Sequence, residues 1–268
     1  MNPTSPAGPA NVTAKVPTWA DRLSMRRRPD RAPVMYQHWH DLLFLHWRWS
    51  AADIQRTLPD GLTVDTHDGH AWLGVVPFCM TGVRPRGLPA VPGLSNFIEL
   101  NLRTYVHSAD GTPGVWFYSL DCNQRLAVAL ARSLFALPYV FADMTKTGRL
   151  GRPGGVTRYR SQRPRQPRVD DFVYDGAGPT APAPPESLAW WLVERYVLFA
   201  GGRDGRPLRS GRVWHEPYEV GPVKLGPWST TLFEANGFRP PGREPDHTMA
   251  SAGVSVKIYP LKRGGQLA

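Results

Sequence analysis

The sequence predicts a mixed, strand-rich domain of α+β class, built on antiparallel sheet that can close as a barrel. Three observations predict it. Runs rich in aromatic and β-branched residues are separated by turn dipeptides. The 28 Pro and 26 Gly among 268 residues are too many breakers for a helical bundle. Helical stretches are few, and no internal repeat appears.

Residues 1 to 33 are rich in Pro, Ala, Ser and Thr, lack periodicity and are read as a disordered basic tail, with one domain from 34 to 268. "VMYQHWHDLLFLHWRWS" is a strand, and Ser50 with Asp53 starts a helix over "AADIQRTLP", which Pro59 and Gly61 end. "LTVDTHDGHAWLGVVPFCM" is a hairpin turned at Asp68-Gly69, and "NFIELNLRTYVHSADGTPGVWFYSLDC" is a second, turned at Asp110-Gly111. In the helix "NQRLAVALARSLFAL", Leu126, Leu130, Ser133, Leu134 and Leu137 share a side that should pack on the sheet. "GGVTRYRSQRP" and "RVDDFVYDG" are strands, and "AGPTAPAPP" is a surface loop. A helix from Ser187 to about Ala200 then precedes a strand pair turned at Asp204-Gly205 and a last strand in "GVSVKIYPLK".

The net charge of +10 comes almost entirely from arginine and is scattered, with clusters at Arg26 to Arg28 and from Arg158 to Arg168. No nucleic-acid module accompanies it, so specific nucleic-acid binding is not expected. Two cysteines, Cys79 and Cys122, are too few for a disulfide framework, and the opening residues have no apolar core of signal-peptide type. Both point to the cytoplasm. The apolar run "LAWWLVERYVLFA" is too short to cross a bilayer and is interrupted by Glu194 and Arg195, so no membrane partner is expected.

Side chains alternate along a strand, so "FIELNLRTYV" has two faces. Ile98, Leu100, Leu102, Thr104 and Val106 form one; Phe97, Glu99, Asn101, Arg103 and Tyr105 form the other. In an open sheet the second face is wet. In a closed barrel it lines a lumen, where a carboxylate and a guanidinium can orient a small polar ligand.

Three ordered blocks, "AWLGVVPFCMTGVRPRGLPAVPGLSNFIELNLRTYV", "GVWFYSLDCNQRLAVALARSLFALPYVFADM" and "LVERYVLFAGGRDG", resemble the YqjF-like family of uncharacterised bacterial proteins, within the acetoacetate decarboxylase-like superfamily. The resemblance covers about residues 34 to 263. It implies an antiparallel β-barrel with flanking helices, whose lumen is the active site in the decarboxylases. Those enzymes carry Gly-Phe-Pro-Lys-Lys after the corresponding helix, the first lysine forming a Schiff base. Here Pro138 matches the proline, while Tyr139 and Val140 replace both lysines. A phenol cannot form an imine, so Schiff-base decarboxylation is not expected. Lys146, the nearest alternative, reads as part of an exposed turn. Glu99 matches a lumen-facing glutamate of the decarboxylases by strand order.

The candidate site is therefore Glu99 and Tyr139 as catalytic groups, with Arg103, Asn101 and Tyr105 as substrate-binding groups. The competing reading of the same residues is structural: a buried Glu99–Arg103 salt bridge and a tyrosine hydroxyl satisfied in the core. His38, His40 and His46 lie at even spacings in one strand, but no adjoining carboxylate pattern completes a metal site, and none is expected. Cys79 and Cys122 are read as buried small hydrophobes, and Glu194 and Arg195 as surface or packing groups of a helix. No cofactor motif is present. Two functions stay open: a cofactor-independent lyase-like or isomerase-like protein acting on a small anionic or carbonyl compound, and a non-catalytic ligand-binding or regulatory module.

Overall fold

A computed structural model describes residues 14–150, 155–202 and 205–263. The first half of the chain runs α1 (Trp19–Ser24), β1 (Met35–Trp49), α2 (Ala51–Gln55), β2 (Leu62–Val64), β3 (Ala71–Pro85), β4 (Phe97–Ser108), β5 (Pro113–Cys122), α3 (Arg125–Phe135), β6 (Tyr139–Phe141) and β7 (Asp143–Thr147). The second half runs β8 (Thr157–Gln162), β9 (Asp170–Gly176), β10 (Ala181–Pro182), α4 (Leu188–Val193), β11 (Val197–Ala200), β12 (Arg209–His215), β13 (Glu219–Val220), β14 (Val223–Ser229), α5 (Leu232–Ala235), β15 (His247–Ile258) and β16 (Lys262–Arg263).

Seven strands close on themselves in the order β4-β3-β1-β15-β12-β11-β5, and β5 pairs back onto β4. The seam is the short parallel pairing of β11 with β5, Leu198 opposite Val115 and Phe199 opposite Trp116. Gly114 permits it, because a Cβ there would sit 2.7 Å from both Val197 O and the Phe199 ring. Outside the barrel a four-stranded antiparallel sheet, β14-β9-β8-β7, contributes Tyr159, Phe172 and Tyr174 to a core shared with Leu43, Leu45 and Trp47 of β1. Ile98, Leu100, Leu102 and Val106 belong to this outer core, so the apolar face of β4 points out of the barrel. The polar face points into it.

The β4–β5 hairpin and the Ser50-capped α2 form as expected. Four expectations need correction. The turn at Asp68-Gly69 forms, both residues at positive φ, yet it closes only a His67–His70 bridge. The strand before it, β2, pairs with β4 instead of β3. The helix expected from Ser187 to Ala200 stops at Val193, and Val197–Ala200 is the barrel strand β11. Its side chains are all buried and its backbone is paired in the sheet, and a short apolar run of this kind does not differ in local pattern from a buried helix.

The tail is the third correction. Residues 1 to 13 lie outside the described residues, but α1 is a formed helix with a capping box between Thr18 and Asp21. Arg22 is buried and forks onto Asp65 at 2.6 and 2.7 Å. Arg212 donates to Met25 O and Arg27 O, and Trp214 to Arg26 O. These polar anchors dock the segment together with Trp19, whose ring meets Trp190 at 5.6 Å, and Met25. The fourth concerns α3, where Leu126, Leu130 and Leu134 are exposed and Val128 is the buried residue. Of the turn at Asp204-Gly205, Asp204 lies outside the described residues; the flanking strands β11 and β12 do pair antiparallel.

Candidate functional site

The barrel encloses a cavity of about 520 Å³. Alternation along β4 aims Glu99, Asn101 and Arg103 into it, and Tyr139 enters from β6, which the end of α3 delivers alongside β5. Most of the lining is apolar, from Leu42 and Phe44 of β1, Val76 and Phe78 of β3 and Phe117 of β5. Glu99, Arg103 and Arg195 are its charged members.

Glu99 is 2% exposed. Tyr139 donates its hydroxyl to one carboxylate oxygen at 2.6 Å, and Asn101 its amide to the other at 3.3 Å. Burial outweighs both bonds and pushes the carboxyl up to about 7. Burial also holds the Tyr139 phenol well above its ordinary range, with the adjacent Glu99 acting in the same direction, so it remains an O–H donor. The Glu99 carboxyl can thus give or take a proton near neutrality while the Tyr139 phenol stands beside it as a donor.

Arg103 is buried, yet no carboxylate lies within ion-pair distance of it among the described residues. The Glu99–Arg103 salt bridge of the competing structural reading does not form among the described residues. Four residues of strand separate the two backbones by about 13 Å, with Asn101 between. Arg103 donates instead to Leu192 O at 3.3 Å and Tyr105 OH at 3.4 Å, and its guanidinium lies over the rings of Phe44 and Tyr105. Its Nε and the side-chain oxygen of Asn101 have no partner. Tyr105 is fully buried and does not line the cavity; its ring packs against Trp191 of α4 at 4.8 Å. It braces Arg103 from behind.

Arg195 is the residue that sequence reasoning missed. Read from the sequence as a surface or packing group of a helix, it sits buried in the turn between α4 and β11, packs on Trp191 and also lines the cavity. Its guanidinium stacks on Trp191 at 4.1 Å, donates to Trp191 O at 2.6 Å and pairs with Asp65 at 2.9 Å, leaving Nη2 without a partner. Burial would raise the Asp65 carboxyl, but Arg195 and Arg22 together hold it below its usual range. Glu194 is likewise buried, accepting from Tyr196 OH and from the Tyr218 backbone at 2.9 Å.

No lysine lines the cavity among the described residues. Lys146 is not in an exposed turn; it lies in β7, largely buried, paired with Asp41. Asp41 occupies a bulge of β1 at positive φ, where His40 Nδ1 (2.8 Å) and Leu150 N (2.9 Å) also meet it. Burial raises its carboxyl, and these partners bring it down to about 2. His40, Asp41 and Cys79 are near enough to share a cation. Yet the Lys146 ammonium already neutralises Asp41, and burial pushes the Cys79 thiol up to about 11, a poor ligand. The same bulge parts the histidines: His38 and His40 stack together, whereas His46 lies against His247. Cys79 and Cys122 are buried and free.

The closed, strand-rich barrel is acetoacetate decarboxylase-like in fold. The solved structure of MppR, an enduracididine biosynthesis enzyme complexed with pyruvate, matches with a TM-score of 0.62 at 13% identity, covering 88% of this chain and 93% of its own. An acetoacetate decarboxylase-like enzyme from Sphingomonas wittichii RW1 matches at 0.59 and 16% identity, covering 87% and 94%. The acetoacetate decarboxylase of Legionella pneumophila matches at 0.57 and 12%, covering 98% and 97%. More particularly, residues 36–255 match the DUF2071 family, described as an uncharacterized conserved protein, and the chain belongs to that family. It is 36% identical over 236 residues to the uncharacterized protein YqjF of Bacillus subtilis, covering 88% of this chain and 94% of YqjF. No helix among the described residues is long and apolar enough to cross a membrane.

Proposed function

We propose that the barrel cavity binds a small carbonyl or carboxylate compound and carries out proton chemistry beside its carbonyl, of lyase or isomerase type, without a Schiff base or a cofactor. One observation carries this reading: a buried carboxyl poised near neutrality, hydrogen-bonded to a phenol, shares its cavity with an unpaired guanidinium. Arg103 receives the ligand's negative end. The Glu99 carboxylate removes a proton from the carbon next to the carbonyl, and the C–H electron pair moves onto the carbonyl oxygen as an enolate. Tyr139 turns its O–H from Glu99 to that oxygen, and protonated Glu99 returns the proton to carbon or to a departing group. A fold neighbour complexed with pyruvate agrees with a carbonyl acid as ligand. The non-catalytic reading draws on the largely apolar lining, which can hold a ligand without transforming it.

Native mass spectrometry of the purified protein identifies any compound carried in the cavity. Proton NMR in deuterated water then follows exchange at the carbon next to that compound's carbonyl. The wild type should accelerate exchange, and Glu99→Gln should slow it by about 100-fold or more. Equal exchange with and without protein would sink the catalytic reading and leave binding alone.

A further inference from the structure

The cavity reaches the surface between two apolar lips. One is α3, whose Leu130 and Leu134 are 49% and 62% exposed and yet line the cavity. The other is the loop before β4, whose Leu88 and Val91 are 59% and 50% exposed and also line it. A hydrogen bond from Gln124 Nε2, at the start of α3, to Gly93 O at 2.8 Å ties the two lips together. Within the loop, Ser95 Oγ accepts from Val91 N at 2.8 Å, so the lip is built rather than loose. Leucines spaced four apart on a helix normally turn toward a core. Here they border an opening that runs inward to Arg103.

Resting on the reading above that the cavity takes an anionic or carbonyl ligand, we infer that its ligand is amphipathic: a carboxylic or keto acid with a long apolar chain, its acid end at Arg103 and its chain leaving between Leu130, Leu134, Leu88 and Val91. A volume of about 520 Å³ lies in the range of cavities that enclose a drug-sized molecule, far more than a three- or four-carbon acid fills. With charge confined to Glu99, Arg103 and Arg195, the rest of the wall offers a chain little but hydrocarbon. The exposed lip residues are explained in the same way, since a chain between them removes their apolar surface from water.

The test is a binding series of straight-chain saturated carboxylates, butyrate, hexanoate, octanoate, decanoate and dodecanoate, each below its micelle concentration, followed by isothermal titration calorimetry. Affinity should rise about two- to fourfold for each added methylene until the chain clears the lip. The double variant Leu130→Ser, Leu134→Ser should compress the gain between hexanoate and dodecanoate, and Arg103→Met should weaken every member of the series at least about 10-fold. Binding that does not depend on chain length would overturn the inference while leaving the anionic site intact. No binding at any length would remove the anionic site as well. Sedimentation gives the remaining outcome: a self-associated protein that Leu130→Ser, Leu134→Ser dissociates, with a flat chain-length series, would assign the lips to contact between copies and overturn the inference.

Discussion

Moving Glu99 from water into an apolar cavity penalises its anion, and the Tyr139 and Asn101 hydrogen bonds only partly restore it. The folded carboxyl titrates near 7 against an ordinary 4.5. Between those values the folded state holds a proton that the unfolded state has lost, so stability falls as pH rises through this window; below it both states are protonated and the effect vanishes. A shift of this size corresponds to roughly 3 kcal/mol. Glu99→Gln should therefore gain melting temperature relative to wild type on going from about pH 4.5 to about pH 8, and a constant difference across that range would show an ordinary carboxylate. Arg103 poses the opposite case, a buried charge without a counter-ion. Arg103→Met should hold or raise the melting temperature of the free protein even as it weakens anion binding; a large loss would mean that its bonds to Leu192 O and Tyr105 OH outweigh its burial. At Lys146, pairing with Asp41 keeps the ammonium away from the cavity. Borohydride trapping with a keto acid should add no mass, and an adduct mapped to Lys146 would overturn this placement. Alternation made the Glu99, Asn101, Arg103 face legible but not which way it points, and Tyr139 was legible only through the resemblance to the decarboxylase motif around Pro138. Arg195 was not. Nothing local in "LVERYVLFA" stops the helix, and its pairing with Asp65 spans 130 residues.

At the scale of the element, α1 shows how a segment with little apolar content can still be ordered. Its anchor is Asp65, caught between Arg22 and Arg195, and this triad ties the N-terminal helix to a side chain that lines the cavity. Deleting residues 1 to 33 removes Arg22 from a buried carboxylate. Loss of one partner of a buried pair typically costs about 3–5 kcal/mol, softened here by Arg195, which remains. The truncated protein should melt measurably lower than the full chain by scanning calorimetry; identical melts would show that the docking contributes nothing. Composition could not reveal this, because the partner of Arg22 lies 43 residues away. The periodicity of α3 was legible as a stripe. What the stripe faces was not, since spacing fixes which residues share a side and leaves open whether a sheet or a cavity mouth lies opposite.

For the molecule as a whole, closure of the barrel turns the polar face of β4 from a wet surface into a lumen, and closure rests on the narrow seam between β5 and β11. Gly114→Ala forces a methyl against Val197 O and Phe199 there. It should lower the melting temperature by several degrees, and an unchanged melt would mean that the seam yields without cost. Strand content and hairpins were legible in the sequence because they are local. The seam was not, because a parallel pairing between segments some 80 residues apart leaves no spacing signal. The most direct test of the enclosed site is a carbon-13 NMR titration of the glutamate side-chain carboxyls, with Glu99 assigned by its absence in Glu99→Gln. The enclosed site predicts one carboxyl with a midpoint near 7, moving higher in Tyr139→Phe as the lowering hydrogen bond is lost. A Glu99 signal titrating near 4.5 and indifferent to Tyr139→Phe would contradict it and place that carboxyl in water.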